Sequence, residues 1–174
     1  MIDHETLLAR LQAAFGDAVT SAPAMRSGES VFHVASNRIA DVALWLRDDE
    51  ELAFAFLENL CGVDYLGRTP RFEVVYHLLS MTHRQRICLK VGVPDTNLHL
   101  PTLTGVWQTA NYQEREAYDM FGFIFDGHPN LERILMPDDW NGHPQRKDVP
   151  LGYEEVAFSI NDEQIYARKP FAQE

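Results

Sequence analysis

The sequence predicts an α+β fold: a small mixed or antiparallel sheet with helices packed on it, followed by an extended Pro/Gly-rich C-terminal strap. Three observations carry that expectation. Ile87, Leu89, Val91 and Val93 alternate with Arg86, Cys88, Lys90 and Gly92, the two-residue period of a half-buried strand. Leu7, Leu8, Leu11 and Phe15, and again Ile39, Val42, Ala43 and Leu46, recur at the spacing of an amphipathic helix. Residues 123–152 hold Gly127, Pro129, Pro137, Gly142, Pro144, Pro150 and Gly152, a density that denies the chain long helices or central strands. The 174 residues are 45% hydrophobic and 24% charged, which suits one domain, or one domain with a tail, and argues against wholesale disorder.

The elements follow in order. Asp3 can cap the first helix and Gly16 can end it. Ser21 to Gly28 is a Ser/Ala/Pro/Gly stretch with loop character, and Ser30 to Ala35 is a short strand candidate. Ser36 can cap the second helix, and the acidic run Asp48 to Glu51 suits the start of a further helical turn. Leu66 to Pro70 has turn chemistry. Arg71 to Met81 reads as a strand, Thr82 to Arg84 as a turn, and Gln85 to Val93 as the returning strand. Two adjacent strands with a short polar connection make a hairpin, which favours α+β over a parallel βαβ architecture. Pro94 to Pro101 reads as a loop, Trp107 to Phe121 as a helix with Gly122 as its C-cap, and Val156 to Ile160 as a final strand. The expected division is a globular domain over residues 1–126 and a strap and tail over 127–174.

Composition narrows the function. Fifteen basic against 26 acidic residues give a net charge of −11, which disfavours binding to phosphate backbones and hence to nucleic acid. Residues 111–174 hold 6 basic and 13 acidic residues, so the last third carries most of the excess. Two cysteines, Cys61 and Cys88, are too few for a thiolate-only iron–sulfur cluster and read as buried free thiols. The start Met1-Ile2-Asp3-His4-Glu5 has neither a basic n-region nor an apolar h-region, and no apolar run approaches a membrane span. A soluble, intracellular chain is expected.

The helix after Trp107 holds the densest chemistry. Trp107, Asn111, Glu114, Tyr118 and Phe121 fall at near-helical spacing, so Glu114 shares a face with three aromatics. A carboxylate there must be hydrogen-bonded or paired, because an isolated buried charge is very costly. Arg133 and Arg146 on the strap are the candidate partners, and Arg115 and Asp119 stand at i,i+4. The favoured reading is a structural clamp on the strap, and the competing one makes Glu114 a perturbed general acid or base. The strap's Leu131, Ile134, Leu135, Met136 and Trp140 must lie on something, either their own domain or a partner.

Gly127-His128-Pro129 and Gly142-His143-Pro144 flank Asp138 and Asp139, which invites a metal-site reading. The histidines lie in a Pro-rich strap rather than on a regular element, so each imidazole is expected to tie down its own bend instead. The chain holds no G-x-S-x-G, P-loop, G-x-G-x-x-G or H-E-x-x-H.

In this order, Glu114-Arg115-Glu116-Ala117-Tyr118-Asp119-Met120-Phe121-Gly122, Gly127-His128-Pro129, Arg133-Ile134-Leu135, Gly142-His143-Pro144, Arg146-Lys147-Asp148 and Pro150-Leu151 closely resemble one family. It is the thirty-kilodalton subunit of respiratory complex I, known in bacteria as the C subunit of NADH–quinone oxidoreductase. Asp64 to Gly67 and Val75 to Leu78 also look like that family, whereas residues 1–40 match it loosely. The resemblance marks Glu114, Arg115, Glu116, Asp119, Phe121, His128, Pro129, Arg133, His143, Pro144, Arg146, Lys147 and Asp148 as signature and docking candidates. The departures are Glu132, where the family usually has a basic residue, and Gln145 and Val149, which replace bulkier apolar groups.

The resemblance implies a scaffold with no catalytic, cofactor-binding or metal-binding residue of its own. It implies a place in the hydrophilic arm beside the forty-nine-kilodalton subunit (the D subunit), within a complex that carries FMN and iron–sulfur clusters, oxidises NADH, reduces quinone and translocates protons. In a bacterium that arm lies on the cytoplasmic face of the inner membrane, so the chain would be peripheral. Two alternatives stand beside it: the equivalent subunit of a membrane-bound hydrogenase or ferredoxin-dependent complex, and a stand-alone metalloenzyme using His128, His143 and Asp138 or Asp139.

Overall fold

A computed structural model describes residues 2–24 and 28–149. Helix α1 spans His4–Phe15, with Asp3 accepting from the Thr6 backbone N–H at its start and Gly16 at its end. The strands β1 (Val19–Ala22) and β2 (Ser30–Val34) lead to helix α2 (Ile39–Asp48). Strands β3 (Phe56–Asp64), β4 (Phe72–Ser80) and β5 (Gln85–Val93) follow. A short β6 (His99–Pro101), helix α3 (Ala110–Phe121) and β7 (Ile124–Asp126) complete the described elements.

The first five strands form one mixed sheet in the order β1-β2-β5-β4-β3. All its pairs are antiparallel except β2 with β5. The β4–β5 hairpin forms as its alternation predicts, from Phe72 opposite Val93 to Ser80 opposite Gln85. The inward face of these strands, including Phe32, Val74, Tyr76, Leu89 and Val91, meets Leu7 and Leu11 of α1 and Ile39, Val42 and Leu46 of α2 in one buried cluster. Fully burying each such side chain contributes on the order of 1.5–3 kcal/mol. β6 and β7 pair in parallel as a separate two-stranded ribbon beside α3.

Several expectations are corrected. Ser21 and Ala22 belong to β1, not to a loop; pairing with Ser21 opposite Phe32 and Ala22 opposite Val31 overrides weak local propensity. The acidic run does not begin a helix: Asp48 ends α2, and the Asp49 carboxylate accepts from the N–H groups of Glu51 and Leu52 in a turn. β3 is absent from the sequence reading because a bulge between Leu57 and Asn59 breaks its alternation. Its buried Leu57 and Leu60 are consequently three residues apart, a helical spacing. The expected 94–101 loop contains β6, and α3 begins at Ala110 instead of Trp107, which lies in a preceding turn. The strand expected over 156–160 lies outside the described residues.

Candidate functional site

The chain's charged signature gathers on the C-terminal half of α3, where the helix meets residues 127–149. Asp119 has no exposed surface. Its Oδ1 accepts from Arg133 Nη1 at 2.7 Å, and its Oδ2 accepts from the N–H groups of Ile134 (3.1 Å), Leu135 (2.8 Å) and Met136 (2.8 Å). Burial alone would raise its pKa, but the backbone donors of Met136 and Leu135, then Arg133 and Ile134, outweigh it and hold the carboxyl at about 2. Arg115, one turn earlier, does not pair with Asp119 as the i,i+4 spacing suggests. It donates to the carbonyls of Glu132 and Arg133, both at 3.1 Å. The two side chains therefore grip one stretch of strap, Arg115 by its carbonyls and Asp119 by its amides.

Arg133 reaches onward along the strap: its second Nη donates to the carbonyls of Trp140 and Gly142. His143 donates from Nδ1 to the Asp119 carbonyl at 3.0 Å and sets its ring edge-on to Tyr118. Burial, reinforced by Arg146 and Arg133 and opposed by the bond to the Asp119 carbonyl, lowers its pKa. Arg146 donates from Nε to the Phe121 carbonyl at 2.6 Å. Both groups close over Gly122, whose φ of +84° suits glycine, and any Cβ there would stand 2.6 Å from His143 Nε2. His128 ties its bend to α3, with Nε2 facing the Asn111 carbonyl and Nδ1 accepting from the Asn130 N–H.

A second anchor lies at the β3–β4 end of the sheet. Arg71 makes a two-pronged contact to Asp64, at 3.0 and 2.8 Å, and reaches Asp148 at 2.8 Å. The Lys147 N–H donates to Asp64 Oδ2 at 2.8 Å. Arg71 is the main reason that Asp64 and Asp148 both sit below the usual carboxylate range. Reading the sequence missed Arg71 and the role of Asp64, because 77 residues separate Arg71 from Asp148 and no local pattern links them.

Glu114 corrects the expected pairing. It is fully buried on α3, yet neither Arg133 nor Arg146 reaches it. Its partners are the Thr102 hydroxyl at 2.5 Å and the Leu103 N–H at 2.7 Å. Burial dominates these two bonds and pushes the carboxyl up to about 7. It also lies close enough to the buried Tyr76 hydroxyl to raise that phenol further. Glu116 lines a small cleft between β3 and α3 with Cys61, Gly62 and Gln145. Burial raises both thiols, Cys88 to about 11, so neither is an activated thiolate.

The rival metal set does not assemble: no group of three or more His, Cys, Asp or Glu converges among the described residues. His128 spends both ring nitrogens on backbone groups. No helix among the described residues is long and apolar enough to cross a membrane.

Against known proteins, residues 32–155 match the family model described as respiratory-chain NADH dehydrogenase, 30 Kd subunit. The NADH-quinone oxidoreductase C subunit of Roseiflexus sp. (strain RS-1) is 65% identical over 173 residues, covering 99% of each chain. The C subunit of Herpetosiphon aurantiacus is 56% identical over 178 residues and covers both chains fully. Among solved structures, a trypsin-resistant fragment (1-134) of Nqo5 superposes with a TM-score of 0.59 at 32% identity, covering 73% of this chain and 98% of that one. A chain of an archaeal membrane-bound sulfane sulfur reductase superposes with a TM-score of 0.68 over 84% of this chain and 85% of that one; at 24% identity the likeness is one of fold alone.

Proposed function

Because this chain belongs to the 30 Kd subunit family of the respiratory-chain NADH dehydrogenase, we propose that it works as a scaffold within that machine. The chain is a subunit of NADH–quinone oxidoreductase in the hydrophilic arm of complex I, an assembly that oxidises NADH and reduces quinone. Within it, this chain holds neighbouring subunits in place and supplies no reacting group.

One observation carries that reading: the buried Asp119 and its partner Arg133 direct their hydrogen bonds to fixing the chain's own strap. A catalytic acid or base needs a face open to substrate, and Asp119 has none. The FMN and iron–sulfur clusters of the complex then belong to other subunits. The forty-nine-kilodalton subunit is the proposed neighbour, the signature residues from Glu114 to Asp148 the structural support of that contact, and the cytoplasmic face of the bacterial membrane the proposed location. The split at 126/127 is proposed as a boundary of role, globular support before it and docking strap after it.

The sulfane sulfur reductase likeness motivates a second reading, in which the same fold serves a membrane-bound complex other than an NADH–quinone oxidoreductase. Mild-detergent purification of the tagged chain from its native membranes, with mass spectrometry of what co-purifies, separates the two. NADH-binding flavoprotein subunits and a homologue of the forty-nine-kilodalton subunit are expected. Hydrogenase or sulfur-reductase subunits in their place would overturn the NADH reading, and a flavin or iron–sulfur absorption band on the isolated chain would overturn the scaffold role.

A further inference from the structure

Ile134 and Leu135 present large apolar side chains to solvent, 39% and 60% exposed. Of the exposed large apolar residues among those described, they are the two that adjoin in sequence. Leu44, Phe56, Tyr112 and Ile124 ride singly on helices or strands, and two others lie in turns. Met81 sits in the β4–β5 turn and Leu66 in the turn after β3. The backbone of Ile134 and Leu135 is fixed from both sides by α3: Arg115 holds the carbonyls of Glu132 and Arg133, and Asp119 holds the N–H groups of residues 134, 135 and 136. A buried carboxylate, a guanidinium and five hydrogen bonds thus hold two leucine-sized groups facing water. The same bonds seat Leu131 and Met136 against the domain's own core while leaving Ile134 and Leu135 facing outward.

We propose that Ile134 and Leu135 form a preorganised anchor that inserts into an apolar pocket of a neighbouring hydrophilic-arm subunit, one rimmed by lysine or arginine. This rests on the subunit reading above and deepens it. The rigid backbone matters because ordering cost is what usually erodes binding, and here folding has already met it. Buried apolar side chains at the centre of an interface, ringed by polar groups, are where binding energy concentrates. The charge of the pocket's rim follows from the flanks. Glu132, Asp138 and Asp139 are exposed and form no ion pair among the described residues, while the one cation in the stretch, Arg133, is spent on Asp119. A basic rim would meet three carboxylates, of which Glu132 accepts only a neutral hydrogen bond from Asn130 Nδ2 at 3.2 Å among the described residues, and charge complementarity would speed and orient docking.

The test uses the full chain in the assembled complex. Photo-crosslinking benzoylphenylalanine placed at position 135 should form an adduct with one identified hydrophilic-arm subunit, at a peptide containing lysine or arginine, while the same probe at position 81 should not. Ile134→Ser with Leu135→Ser should cut co-purification of that subunit at least tenfold without lowering the free chain's melting temperature, and Met81→Ser should change neither. Replacing Glu132, Asp138 and Asp139 by amides should weaken retention at low salt and lose its effect at high salt. Unchanged assembly of the double variant together with no adduct from position 135 would overturn the anchor. If the wild-type chain itself retained no respiratory subunit, the subunit reading would fail first, a separate result.

Discussion

Glu114 and Asp119 lie five residues apart on one helix, both without exposed surface, yet their carboxyls are held near opposite ends of the acid range, about 7 and about 2. Burial penalises both charges. The difference is the donor count: Asp119 receives three backbone N–H groups and a guanidinium, whereas Glu114 receives one N–H and one hydroxyl. Four donors, one of them charged, outweigh desolvation; two neutral ones do not.

The pair should give the fold a two-sided pH dependence. The Glu114 pKa is raised from 4.5, so its contribution to stability is fully present below about 4.5 and is lost as pH rises through about 7. A shift of that size corresponds to roughly 3 kcal/mol. Glu114→Gln keeps an acceptor for Leu103 and cannot ionise, so its urea unfolding midpoint should stay flat between pH 5 and pH 8 while the wild type declines. Parallel declines in both proteins would assign the effect to another group.

Asp119→Asn tests the other side. The amide leaves Arg133 without its countercharge and turns an N–H₂ toward donors, so a cost of roughly 3–5 kcal/mol is expected for a broken buried pair. Because the wild-type pKa is depressed from 3.8, the carboxylate's contribution is present above that value and lost as pH falls toward about 2. The asparagine variant should show no such acid limb, and amide exchange at residues 134–136 should accelerate by more than tenfold. Protection matching the wild type would mean that the strap is held by its apolar side chains instead.

Much of this architecture is legible in the sequence, and the gaps have physical causes. The β4–β5 hairpin is readable because Ile87, Leu89, Val91 and Val93 on the core face alternate with Arg86, Lys90 and Gly92, even though Cys88 on the other face is buried as well. β3 is not readable because its bulge shifts the register, and β1 is not because four residues with two exposed in the middle carry no period. For the site, spacing identifies a clamp on α3 but pairs the wrong partners. A helical stripe says which residues share a face; it cannot say that Thr102 and Leu103 would come to Glu114 first, or that a distant Arg71 would meet Asp148.

Gly122 and Gly142 make a matched comparison. Both have positive φ, +84° and +85°, so alanine should cost roughly 1–2 kcal/mol at either from left-handed backbone strain alone. A Cβ at Gly142 meets nothing within 4 Å, whereas one at Gly122 lies 2.6 Å from His143 Nε2 and 2.7 Å from Arg146 Nη2. Gly122→Ala should therefore be clearly the more destabilising in thermal melts and should shift the His143 ring resonances in NMR. Equal losses at the two glycines would show that His143 and Arg146 swing away without cost.

Arg71 separates a buried ion pair from an exposed one on a single guanidinium. The Asp64 side chain is 1% exposed and that of Asp148 49%, while both lie 2.8 Å from Arg71. Distance alone predicts equal coupling; burial predicts otherwise. In double-mutant cycles built on Arg71→Gln, the Asp148→Asn cycle should give a coupling within about 1 kcal/mol, as for exposed pairs. The Asp64→Asn cycle should exceed it severalfold, because Arg71→Gln alone strands a buried carboxylate at a cost of roughly 3–5 kcal/mol. Salt sharpens the distinction: raising ionic strength to about 1 M shortens the screening length to about 3 Å, which should erase the Asp148 coupling and leave that of Asp64 largely intact. If both couplings fell together with salt, the Asp64 pocket would be open to solvent, and Arg71 would not be the post that fixes the end of the strap to the sheet.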